Sequence, residues 1–454
     1  MTAIKQRRNV LNQAPVKRAL GARTEQRALL LILCIVIGCI TTYSANADSV
    51  EPSNIDGTQT PSKLDLLNTP SVESELATDG VLLALQQGKD SIIAVGERGH
   101  IVNWQDQENW LQEISPVAVT LTDITQLPDQ SFIAVGHDGA IIKREPSVQT
   151  VNPNDIDGIS LTSSWRKVFD GYALNELLIQ SLERQLTLAQ ARLDDLLDNK
   201  LSDKNTSDEV DIYDLEYFIE DLHFAIEDAE LEKAQGPNKP LLGVAATQDK
   251  VFAVGAYGIL LVSQDNGETW SFESQLLDNP DKFHLNDVVT TEDGHVFIVG
   301  ENGLGFVSDN NGISFETMQM PYSGSYFGIA KASDSKYLLA YGLKGNIALS
   351  QDHGQTWRSL KSPTQISILG GFIDGQQTAY LVGHAGVLLH FSLNTPEQIT
   401  VKRHPSGASL AAASYSRNTN TDNRASEQGD TQLIVVGQYG IDRIHIRSTN
   451  AQAD

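Results

Sequence analysis

The stretch AVGAYGILLVSQDNGETW, residues 253 to 270, decides the reading of this chain. A small apolar run climbs to Gly255, two turn residues lead to Gly258, and a second apolar run leaves. Ser263, Asp265, Gly267, Thr269 and Trp270 follow at close intervals. Two apolar runs folded about a glycine turn predict a β-hairpin. Its recurrence predicts far more, because periodicity at a fixed interval is the signature of repeat architectures.

The four residues G-x-x-G recur seven times after an apolar run, with first glycines at Gly96, Gly136, Gly255, Gly300, Gly342, Gly383 and Gly437. The steps between them are 40, 119, 45, 42, 41 and 54 residues. Five of the six fall near one repeat length, and one is much too long. Both glycines of each copy are expected to supply positive φ, which they do at no steric cost. The downstream turn SQDNGETW at 263–270 returns as SQDHGQTW at 350–357, and as SDNNGISF at 308–315 with Asn310 and Phe315 substituted. NWQDQENW at 103–110 keeps little beyond Trp110.

Such a turn, S-x-D-x-G-x-T-W, resembles the Asp-box, whose carboxylate bonds turn amides while its tryptophan packs between sheets. Ser263, Asp265, Gly267 and Trp270, with Ser350, Asp352, Gly354 and Trp357, are therefore expected to be structural. A calcium loop would need further carboxylates and a bidentate Glu, so no metal site is assigned. Seven units of about 40 residues, each with room for four strands, predict an all-β, seven-bladed β-propeller, since radial closure leaves only short protected edges. Blade seven ends at its third strand, IDRIHI, residues 441–446. Its fourth strand is expected from about Lys63 to Ser71, clasping the ring shut.

The long step holds about 70 extra residues that are not strand-like. Leu174, Leu178, Leu182, Gln185, Ala189, Leu193 and Leu196 fall at three-and-four spacing, as do Leu215, Phe218 or Ile219, Leu222, Ala225 or Ile226, and Ala229. These predict two amphipathic helices, about 171–199 and 209–234, closed by Gly236-Pro237 into an antiparallel hairpin. From 170 to 235 there are eighteen acidic and five basic residues, a net of −13 against −25 for the whole chain. That concentration is either a solvated helical face or a docking arm for a basic partner. Acidity overall argues against nucleic acid, whose binding needs Lys and Arg to displace counterions.

Arg7, Arg8, Lys17, Arg18, Arg23 and Arg27 precede ALLLILCIVIGCI at 28–40, followed by Ser44-Ala45-Asn46-Ala47. This reads as an export signal over 1–47 with cleavage after Ala47. Two other outcomes stay open: a lipoprotein signal that leaves a lipid on Cys39, and an uncleaved membrane anchor. All three place the protein outside the cytoplasm, in the periplasm or exported. Cys34 and Cys39 are the only cysteines, so thiol chemistry is not expected in the mature chain. The organisation that results is a signal at 1–47, a linker at 48–62, blades one and two with the closing strand at 63–169, the acidic hairpin at 170–239, blades three to seven at 240–447, and a tail at 448–454.

In a four-stranded blade the turn between strands two and three shares a face with the connection to the next blade. The insertion therefore leaves the ring on the G-x-x-G face. That face also displays Arg98, His137, Tyr257, Asn302, Lys344, His384 and Tyr439, the candidates for partner contact, with Tyr257 and Tyr439 the expected anchors.

The V-G-x-x-G hairpin followed by S-x-D-x-G-x-T-W resembles the photosystem II stability and assembly factor family, whose relatives extend into bacteria without photosynthesis. The resemblance covers 63–169 and 240–447. It implies a lumenal or periplasmic seven-bladed propeller, without cofactor, that assists assembly of a membrane complex. The photosynthetic members lack a comparable acidic hairpin, and this chain does not concentrate the basic residues they display, so the photosystem itself is not carried over. What stands is a non-catalytic scaffold or assembly factor for a membrane protein complex at the envelope, such as a transporter. The rival reading is a glycosidase or sialidase, since those enzymes also carry Asp-boxes. A sialidase needs three arginines on a carboxylate, and blade arginines are few: Arg98, Arg144, Arg166, Arg358, Arg403 and Arg443. No catalytic residue is assigned.

Overall fold

Each glycine hairpin forms the second and third strands of an antiparallel sheet. In the computed structural model the described residues are 65–88, 91–106, 109–146, 149–150, 160–161, 165–202, 207–333, 336–415 and 430–447. The export segment, the linker and the tail lie outside them. Six sheets of four strands and one of three surround a central channel of about 690 Å³ lined by the first strand of every blade. The architecture is a seven-bladed β-propeller with an inserted helical hairpin. Blade one is Leu82–Gln87, Ile92–Gly96, Ile101–Asp106 and Asn109–Glu113. Blade two is Leu121–Gln126, Phe132–Gly136, Ile141–Arg144 and Trp165–Phe169. The first strands of blades three to seven begin at Leu241, Leu285, Tyr326, Ile368 and Leu410.

The core is divided into packets between neighbouring blades. Ile93 and Val95 of blade one meet Leu121 and Ala134 of blade two, and Phe297 of blade four meets Ile329 and Leu338 of blade five. Second strands, buried on both faces, are accordingly apolar throughout, as in Val251–Gly255.

All seven inner strands break register at one equivalent place, for example between Leu121 and Asp123 and between Leu285 and Asp287. The residue after each break is Ala84, Asp123, Gly243, Asp287, Gly328, Gly370 or Ala412, always small or an aspartate. A bulge re-aims the chain there, and at Gly243 and Gly370 the neighbouring blade leaves little room for a side chain. A Cβ on Gly370 would lie 2.0 Å from the Ala411 carbonyl oxygen.

The paired turn glycines have different causes, which corrects the expectation that both supply positive φ. The second glycine does: Gly258 has φ of 72° and Tyr257 before it 60°. The first, Gly255, is extended at −165°. It is required because a Cβ there would lie 2.4 Å from the Pro240 carbonyl oxygen, a close backbone approach that only glycine permits.

In the 263–270 turn, Ser263 Oγ accepts from Gly267 N at 2.8 Å and donates to Asp265 Oδ1 at 2.8 Å. Asp265 accepts from Thr269 N at 2.9 Å and from Thr269 Oγ1 at 2.6 Å, and Trp270 Nε1 donates to Gly267 O at 3.2 Å. Ser350, Asp352, Gly354, Thr356 and Trp357 repeat this arrangement. Hydrogen bonding to the ionised form holds both aspartates below the ordinary value, against a desolvation contribution of opposite sign. The glycine answers to the blade before it: a Cβ on Gly267 would lie 2.1 Å from Ile133, and one on Gly354 2.3 Å from Phe297.

The segment expected to close the ring as a strand does not. Leu66–Asn68 is a 3₁₀ turn, capped by Asp65 and inserted between blades one and two with Leu67 buried. Ala118 N donates to Leu66 O, and Lys167 Nζ bonds Leu67 O and Asn68 Oδ1. A buried leucine gains more there than at an exposed sheet edge. Closure falls instead to Thr78, whose carbonyl accepts from Ile441 N, and to packing of Val436 and Ile434 of blade seven against Ala94 and Ile92 of blade one.

The insertion is two helices, α1 (Gly171–Ser202) and α2 (Ser207–Gln235), packed against each other as a hairpin roughly 45 Å long. Asp170 Oδ1 accepts from Tyr172 N, an N-terminal cap. Gly236, at φ of 96°, and Pro237 end α2. The base is held in the ring, where Leu174 packs with Phe169, Leu241 and Ile259. Buried Lys239 donates to Glu232 Oε2 at 2.6 Å and to Asn175 Oδ1 at 3.3 Å. Among the described residues no helix is long and apolar enough to cross a membrane.

Candidate partner-binding face

The hairpin leaves the end of blade two, so it rises from the same face as the G-x-x-G turns. Contact between Gly171 and Gly139 places it there: a Cβ on Gly171 would lie 2.3 Å from the Asp138 carbonyl oxygen. Rising beside blade three, the hairpin encloses with it a groove of about 760 Å³. Leu178, Leu182, Phe218 and Ala225 form one wall, and Tyr257, Phe272, Leu277 and Pro280 the other. The rim carries Asp221, Glu232, Asp278 and Lys282. The groove is thus an apolar cleft with a mostly acidic edge, shaped for a protein segment or an elongated apolar ligand.

Of the seven residues proposed to face a partner, only Tyr257 lines the groove. Its ring centroid is 5.2 Å from that of His284, and its amide donates to His284 Nδ1 at 3.4 Å. His284 in turn lies 3.3 Å from Glu301. Burial holds His284 below the usual histidine range, opposed by the Glu301 carboxylate. Arg98, Asn302, Lys344 and Tyr439 are exposed on their own turns. His137 and His384 are half-buried and both are held low by burial, with His384 Nδ1 2.9 Å from Ser409 Oγ. The structure does not gather these residues into one site; they ring the face, one per blade.

Sequence reading missed two features. The first is the groove itself, since Phe272, Leu277 and Pro280 meet the hairpin only through the fold. The second lies inside the channel. Asp123 of blade two accepts from Val244 N of blade three at 2.8 Å, and Asp287 of blade four accepts from Ile329 N of blade five at 2.9 Å. In both cases glycine, Gly243 or Gly328, precedes the bonded residue in the next blade. Desolvation raises Asp123 to about 7 and, with the Asp123 charge, Asp287 to about 8. Aligning the inner strands of the repeats would have exposed this Asp-then-Gly pattern.

The blade arginines are not assembled either. Arg144 is buried on Glu113, Arg166 bonds Glu145 and Glu268, Arg358 bonds Glu397, Arg403 donates to Ala385 O, and Arg443 lies over Trp104. Among the described residues no three His, Cys, Asp or Glu side chains are placed to hold a metal ion.

No protein-family model matches the chain. No curated protein matches it. Solved structures similar to it include YCF48 from Cyanidioschyzon merolae, at 10% identity and a TM-score of 0.47, covering 82% of this chain and 97% of that one. The WD40 β-propeller domain of Doa1 covers 86% of this chain and 99% of its own at 9% identity and a TM-score of 0.49. YCF48 bound to a D1 peptide covers 84% and 99% at 12% identity and a TM-score of 0.48.

Proposed function

We propose that this chain is an exported, non-catalytic scaffold or assembly factor for a membrane protein complex such as a transporter, and that the partner docks on the G-x-x-G face. The observation that carries this reading is the groove between hairpin and blade three, an apolar cleft built jointly by the ring and by an element the ring does not need for closure. Export, as a soluble protein, a lipid-anchored one or one held by an uncleaved N-terminal anchor, is the part contributed by the N-terminal segment. The glycosidase reading has one observation in its favour, two carboxylates facing the channel with raised pKa values. Their bonds to the backbone of the following blade support an architectural duty instead.

Cross-linking of the full chain in intact envelopes, followed by capture, tests the proposal against a Tyr257→Asn variant. Asparagine tolerates the left-handed backbone at that position, so the ring is removed without added strain. The wild type is expected to capture one dominant membrane complex, and the variant to lose at least tenfold. Equal capture by both, or aryl-glycoside turnover that Asp123→Asn abolishes, would overturn it.

A further inference from the structure

Helix α2 has two apolar faces, and among the described residues only one is covered. Ile212, Leu222 and Ala229 are buried. Tyr213, Tyr217, Phe224 and Leu231 are 61%, 63%, 59% and 58% exposed. At 100° per residue these four fall within about 40° of one another, on the side opposite Leu222. Their spacing of 4, 7 and 7 is the seam of a helix that packs against another helix, and it runs about 27 Å. Exposed carboxylates border it on both sides, Glu216, Glu220 and Glu227 along one edge and Asp214 and Asp221 along the other. From 207 to 232 there is no Lys or Arg.

We infer that this stripe is a docking seam for a basic amphipathic helix of a partner protein, about five turns long, with an apolar seam and Lys or Arg at its flanks. This rests on the scaffold reading above and deepens it by giving the chemistry of one partner segment. Seam spacing selects a helix over an extended strand, because a strand presents side chains at period two. Charge selects the partner. A second copy of the hairpin, or an anionic membrane, would set negative charge against negative charge, whereas Lys and Arg at the flanking positions complete the pairing that fixes helix choice in coiled coils.

The probe is a 21-residue peptide of three heptads with Leu at a and d, Lys at e and g and Ala elsewhere, read by fluorescence anisotropy against the purified full chain. Its control has the same composition with the leucines shuffled off the seam. The ordered peptide is expected to bind at least tenfold tighter than the control, to weaken at least tenfold between 50 and 500 mM salt, which are conditions on the order of those that screen surface charge, and to fall to the control level with Tyr217→Ser/Phe224→Ser. The single variants Tyr213→Ser and Leu231→Ser keep the test open if the double variant loses helix by circular dichroism, each then being expected to lose several-fold. Equal binding of the two peptides, or binding unchanged by the variants, overturns the seam. So does a dimer by light scattering that the double variant dissolves, or sedimentation with phosphatidylglycerol vesicles that it abolishes. Capture by the groove is read separately through Tyr257→Asn, so loss of one result leaves the other standing.

Discussion

The ring and the hairpin are built from the same kinds of residue and use them in opposite ways. In the ring, polar side chains carry duties of architecture: Asp265 and Asp352 organise turns, Asp123 and Asp287 stitch one blade to the next, and Arg144 neutralises Glu113. In α2, Tyr213, Tyr217, Phe224 and Leu231 stand in solvent. The contrast teaches where to look for recognition. A polar residue that holds the fold together is poorly placed to bind a partner, and an aromatic residue with no internal role is well placed.

The comparison breaks most sharply at Glu113. Its carboxylate accepts from Arg144 at 2.8 Å, from Trp165 Nε1 at 2.7 Å and from Asn103 Nδ2 at 2.7 Å, joining blades one and two, while Arg144 lies over the Phe132 ring. Glu113→Ala leaves a buried guanidinium without its partner, a loss of about 3–5 kcal/mol. Urea denaturation should show the loss, and Glu113→Gln should recover part of it by keeping an acceptor. A change below about 1 kcal/mol would mean that ring charges are as dispensable as surface ones.

A smaller effect, and one with a distinctive pH profile, is expected at Asp123. Its folded pKa, about 7, lies above its ordinary value of 3.8 because the channel wall desolvates the charge. The side chain retains some contact with channel water, which moderates the effect without changing its direction. Between these values the folded state keeps a proton that the unfolded state has released, so the contribution to stability is full below about pH 4 and is lost as pH rises toward 8. Asp123→Asn keeps a carbonyl acceptor for Val244 N and does not titrate. Relative to wild type it should gain on the order of 1 kcal/mol between pH 4 and pH 8. Parallel thermal melts across that range check it, and a constant difference would show that the carboxylate ionises freely in the folded state.

The repeat was legible because glycine is irreplaceable where a turn reaches positive φ or where backbones nearly touch, and both conditions recur in every blade. The hairpin was legible because its buried stripe has helical period. The closure was not, since an apolar Leu67 suits an edge strand as well as a buried turn, and only packing shows that it sits in the seam between blades one and two. The outer stripe of α2 escaped for a related reason: a search for one apolar face stops at Leu215, Leu222 and Ala229, and reads Tyr213, Tyr217 and Phe224 as scatter. Asp123 and Asp287 were invisible because the acceptor they provide serves a backbone amide more than 40 residues onward.

The smallest effect is the sharpest test of the contrast. Tyr217→Ser and Phe224→Ser remove large apolar groups that are 63% and 59% exposed on a helix whose buried face they do not touch. Exposed positions away from packing and caps change stability within about 0.5 kcal/mol. Serine has a somewhat lower helix propensity than leucine-like residues and is comparable with Tyr and Phe, so propensity adds little. Denaturation of the double variant should therefore track the wild type in both midpoint and slope. A loss above about 1.5 kcal/mol would show that the stripe is covered from within the chain, and the hairpin would then belong with the ring as architecture.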